Sequence, residues 1–101
     1  MGSRLELQEL LEDVLGSRNV YYQPPASVIM KYPAIVYNRA DIEIFHADNR
    51  PYAHAIAYQV ILIDKNPDSE YVNKIAMLPT CRYDRHYVSD NLNHDVFTLY
   101  Y

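Results

Sequence analysis

A chain of 101 residues, half of them apolar, is long enough for one packed core and too short for two. Its net charge of −4, without a basic run, excludes the Lys/Arg density that grips nucleic-acid phosphates. Two glycines leave no glycine-rich phosphate loop, and one cysteine, Cys81, leaves no intrachain disulfide and no all-thiolate zinc site.

The first segment, SRLELQELLEDVLG, places Leu7, Leu10, Leu11, Val14 and Leu15 on one stripe at helical spacing. Ser3 and Glu6 have the spacing of a capping box, and Gly16 stands where a left-handed C-cap is wanted. Met1-Gly2 opens like a myristoylation signal, but Glu6 occupies the position that needs serine or threonine. These first residues also lack a signal-peptide core, and no later run is apolar enough for a membrane-spanning helix.

NVYYQ then reads as a short strand, ended by Pro24-Pro25 because neither proline can donate to a ladder. Residues 24–32 read as an irregular loop. Pro33 opens AIVYNRADIEIF, in which Ile35, Tyr37 and Arg39 share one face and Val36 and Asn38 the other. Ile42 and Ile44 go together further on, opposite Asp41 and Glu43, and the polar break at residues 39–41 predicts a bulge or a bend. ADNRPY is a turn between two strands. HAIAYQVILID puts Ile56, Tyr58, Val60 and Leu62 on one face and Ala55, Ala57, Ile61 and Ile63 on the other. A strand apolar on both faces predicts a central one, and in so small a chain a neighbouring subunit is the expected cover for the second face.

NPDSEYVNKIAMLP reads as a second helix, capped by Asn66, with Pro67 at the first helical position. Val72, Ile75, Ala76 and Leu78 form its buried stripe, and Pro79 stops it. CRYDRHYVS and HDVFTLYY are two further strands, joined by Asp90-Asn91-Leu92-Asn93. The order α-β-β-β-α-β-β predicts a single α+β domain over residues 1–101, a mostly antiparallel sheet with two helices packed on one face.

The final stretch gathers Asp84, His86, Asp90, His94 and Asp95, ligand and acid–base side chains, within a dozen positions. No paired metal motif accompanies them, and a hairpin places His86 and His94 at most as cross-strand neighbours. Asp84 and His86 share a face if alternation holds, with Arg82 and Arg85 as ion-pair partners. Ser69 and Ser89 lack the glycines of a nucleophile elbow, and His46 and His54 flank a turn. Neither a metal, a cofactor nor a catalytic group is expected. Eleven tyrosines without tryptophan suit half-buried strands and protein contacts instead.

The runs NVYYQPP, MKYPAIVYNR, ADNRPY, YQVILIDKNPDSE and YDRHYVSDNLNHDVFTLYY carry a resemblance that extends from Leu5 to Tyr101. They resemble small structural proteins of tailed bacteriophages with long, non-contractile tails, of the head–tail joining and tail-completion group. The resemblance implies a tail terminator. Such a subunit forms a hexameric ring at the head-proximal end of the tail and ends growth of the tail tube. The ring joins the tube of major tail protein to the head connector, and DNA passes through its lumen without specific binding. It belongs to the virion and has no catalytic activity. Another neck component, or a small monomeric module that binds a peptide at a sheet edge, are the alternatives. The expected contact loops are residues 24–32 and 46–52, which are turn-rich yet carry apolar and aromatic groups. Their contact residues are Val28, Ile29, Met30 and Tyr32, then Asp48, Asn49, Arg50 and Tyr52.

Overall fold

The computed structural model of the chain describes residues 4–25, 27–47 and 50–101, and the side chains of all of these except residues 41–55. The elements run α1 (Arg4–Leu15), β1 (Val20–Tyr22), β2 (Ala34–Ala47), β3 (Arg50–Asp64), α2 (Tyr71–Ala76), β4 (Cys81–Ser89) and β5 (Leu92–Tyr100). The expected α+β order is observed. Five strands form one sheet in the order β1-β2-β3-β5-β4, parallel between β1 and β2 and antiparallel elsewhere. No helix among the described residues is long and apolar enough to cross a membrane.

The apolar stripe of α1 lies on this sheet. Leu7, Leu11 and Leu15 are buried, and Leu10 and Val14 pack at the margin of the same cluster. Each fully buried leucine contributes about 1.5–3 kcal/mol. Gly16 ends the helix with φ +74°, its N–H donating to the Glu12 carbonyl at 2.8 Å. Ser3 of the expected capping box lies outside the described residues.

A polar seam joins the same helix to the sheet. The Tyr37 hydroxyl donates to Gln8 Oε1 and accepts from Arg4 at 3.4 Å. Gln8 Nε2 donates to Glu12 at 2.9 Å and to the Val20 carbonyl at 3.0 Å. The Arg4 guanidinium lies 4.6 Å above the Tyr22 ring, which in turn packs 4.8 Å from Tyr37. Burial pushes the Tyr37 phenol up, against the pull of Arg4.

Below the helices the rows of the sheet interlock: Ile35 faces Leu62, Tyr37 faces Val60, which in turn faces Phe97, and Tyr58 faces Leu99. Ile75 of α2 joins this cluster, so both helices share one face. As its alternation predicts, β3 is central, flanked by β2 and β5. Ala34, Ala57, Ile63 and Val96 are buried on the second face within the single chain. Val36 and Ile61, on the same face, are only half-buried. A parallel pair requires a crossover connection, and the one between β1 and β2 carries half-buried Val28 and Met30.

The second helix is shorter than its sequence suggests. Asn66 Oδ1 accepts from the Asp68 N–H at 2.9 Å, which closes a local turn, and the helix begins only at Tyr71. Pro67 therefore precedes it. Ile75 is buried and Val72 and Leu78 half-buried, but Ala76 is exposed, because one and a half turns present too narrow a stripe to bury it. The β4–β5 connection is also shorter: Asp90 and Asn91 alone make the turn, at φ 52° and 62°. Leu92 and Asn93 belong to β5.

The outer halves of β2 and β3 leave the sheet. β1 pairs no further than Tyr37 and β5 no further than Ala57. From Ile42↔Ile56 to Ala47↔Arg50 the two strands pair with each other as a ribbon. The molecule is correspondingly long, 50 × 25 × 23 Å. The polar break expected at residues 39–41 is a bulge, between Arg39↔Tyr58 and Asp41↔Ala57.

Candidate interface and groove

The two expected contact loops do not form one patch. Residues 24–32 return from β1 to the start of β2, whereas the arm ends beyond Ala47, ten residues on from Tyr37, or roughly 33 Å along an extended strand. In the first loop Ile29 is 89% exposed and Tyr32 36%, so these two are available to a partner. Val28 and Met30 are half-buried. In the second, Asp48 and Asn49 lie outside the described residues. Arg50 and Tyr52 fall on β3, in the arm, and their side chains are likewise outside the description.

The polar tail resolves into two faces of a hairpin. His86 stands opposite Asp95, and His94 opposite Tyr87, so the two histidines point to opposite sides of the sheet. The Tyr87 and His94 rings stack at 4.6 Å. Asp84 is the extra residue of a bulge between Tyr83↔Phe97 and Arg85↔Val96, so the simple alternation that would align it with His86 is broken. No group of three or more His, Cys, Asp or Glu side chains among the described residues is placed to hold a metal ion.

A groove of about 430 Å³ lies between the segment entering α2 and the β4–β5 hairpin, lined by Pro67, Asp68, Ser69, Val72, Asn73, His86 and Asp95. Ser69, His86 and Asp95 are the residue types of a hydrolase relay. Such a relay needs hydroxyl, imidazole and carboxylate joined by hydrogen bonds. Each is bonded elsewhere. Asp95 accepts from the Tyr83 hydroxyl at 2.8 Å, His86 Nε2 lies 3.2 Å from Asn93 Oδ1, and Ser69 Oγ accepts from the Tyr71 N–H at 3.4 Å. Burial, the bond to Asp95 and the carboxylate charge together push the Tyr83 phenol up to about 12. What remains is an acceptor-rich recess suited to a polar group.

The exposed surface of the hairpin is β4. From Arg82 to Ser89 every residue of this edge strand is exposed, with Tyr83, Tyr87 and Val88 among the large apolar groups in water. Its bulge brings Arg82, opposite Thr98, and Arg85, opposite Val96, to the same face. Arg82 Nε donates to Asp84 at 2.9 Å, and Arg85 lies 5.7 Å over the Tyr87 ring. The Thr98 hydroxyl donates to Asp84 at 2.6 Å and, with Arg82, holds its carboxyl below the usual range. Burial and the nearby Asp84 charge push the Cys81 thiol up, which keeps it protonated and a poor nucleophile at neutral pH.

Sequence reasoning missed the length of the arm and the exposure of β4. The signal for the second was present: Arg-Tyr-Asp-Arg-His-Tyr alternates no apolar face and so cannot be a covered strand. Comparison with family models, with curated proteins and with solved structures finds no match to the chain.

Proposed function

We propose that this chain is a non-enzymatic structural subunit of a phage virion, a tail terminator that assembles as a ring at the head-proximal end of a long, non-contractile tail. The observation that carries the reading is the resemblance running from Leu5 to Tyr101, through ADNRPY, IDKNPDS and SDNLNHDVFTLYY. The arm supports it. A two-stranded ribbon is marginal in water on its own, so one that projects from a small domain is suited to rest on another subunit. The negative net charge fits a lumen that lets DNA slide. Its partners on this reading are copies of itself, the major tail protein and the head connector.

Native mass by light scattering over a range of concentrations, alone and then with the major tail protein, tests the proposal. A hexamer in either condition supports it. A monomer in both, with no binding to tube or connector, overturns it. That outcome favours the second reading, a monomeric module that takes a peptide strand along the free edge of β4.

A further inference from the structure

The chain carries two unmatched surfaces: a ribbon that outruns its own sheet, and a nine-residue edge strand that is exposed along nearly all its length. An exposed edge offers a row of free backbone donors and acceptors. We propose that the β2–β3 arm of one copy pairs with the β4 edge of a second copy, Asp41 and Glu43 of the arm meeting Arg82 and Arg85 of the edge. This deepens the ring reading and rests on it.

The match is one of charge and spacing. Asp41 and Glu43 occupy alternate register positions of β2, opposite Ala57 and Ala55. Arg82 and Arg85 are three apart in sequence, but the bulge at Asp84 sets them opposite Thr98 and Val96, two ladder steps apart. Both pairs are thus spaced roughly 7 Å along their strands. Without the bulge the two arginines would fall on opposite faces. Charges and bulges are the devices by which an edge refuses an arbitrary strand, and here the same devices select a strand with two acidic residues at matching intervals. Donor and acceptor are different surfaces of one chain, so the contact is head-to-tail and closes into a ring when the rotation per subunit allows.

Two variants and their mixture test this. One carries Asp41→Lys and Glu43→Lys, the other Arg82→Glu and Arg85→Glu. Under the condition in which the parent chain assembles, each alone requires a concentration more than about tenfold higher to do so. Mixed in equal amounts they assemble again, in alternating order, because the lysine arm of one meets the glutamate edge of the other. A folding defect would not be repaired by mixing. If either variant assembles like the parent, or the mixture stays apart while both variants melt like the parent, the arm–edge pairing is wrong although the ring stands. If the parent chain assembles under no condition, the ring reading falls and this contact with it.

Discussion

Single residues set most of what holds this molecule together. Tyr37 lies in the core with its hydroxyl between Gln8 and Arg4, so it joins an apolar cluster to a polar seam. Tyr37→Phe leaves the Gln8 carbonyl oxygen without its donor, and urea unfolding is expected to show a loss of about 1–2 kcal/mol. Leu11→Ala removes a fully buried side chain from the helix–sheet contact and is expected to cost about 2–5 kcal/mol in the same measurement. The tightest local constraint is the β4–β5 turn, where Asp90 and Asn91 both hold positive φ. Asparagine tolerates this conformation better than alanine, and Asn91→Ala is expected to lower the thermal midpoint. Two ionisations report on the hairpin. The Tyr83 phenol is raised in the folded state, so its contribution is complete below pH 10 and is lost as pH climbs towards about 12. A phenolate absorbance titration should show one tyrosine ionising late, and Tyr83→Phe should remove it. Asp84 works in the opposite sense. Its carboxyl is depressed by Thr98 and Arg82, so its contribution is present above the ordinary carboxylate range and fades as pH falls through the folded value. Asp84→Asn should flatten that part of the acid unfolding curve.

The elements differ in how far the sequence discloses them. α1 was legible because five apolar residues repeat at helical spacing and a glycine stands where the helix stops. The start of α2 was not, because Asn66 and Ser69 are both capping types, and the Asn66 side chain closes a turn before the helix begins. β3 was legible as central from its two apolar faces. The arm was half-legible. Arg39-Ala40-Asp41 reads as a bulge or a bend and is one, but nothing in the pattern tells that β1 and β5 stop near it while β2 and β3 run on. The groove could not be read from sequence, since residues 67–73 meet His86 and Asp95 only through the packing of α2 against the hairpin. The same holds for the second face of the sheet. Apolar residues there suggested an outside cover; Ala34, Ile63 and Val96 are buried within the single chain, while Val36 and Ile61 are half-buried.

At the scale of the whole molecule, the association proposed above is electrostatic at its selective point. Exposed charges on β4 are screened within about 10 Å at 0.1 M salt, so assembly monitored by light scattering is expected to weaken as salt is raised. The arm has one further consequence. Its strands are not hung from a loop; they are the uninterrupted outward continuation of β2 and of the central strand β3. A load applied at the tip is therefore delivered along covalent backbone into the two strands on which the helices sit, and sheet and arm act as one lever. The extra residue at its fulcrum is Ala40, which sets Ile42 opposite Ile56 rather than opposite Ala55. Deleting Ala40 would leave Arg39 opposite Tyr58 and Asp41 opposite Ala57 as consecutive pairs, so the ladder would run through without the bulge and the lever would lose the bend that aims it.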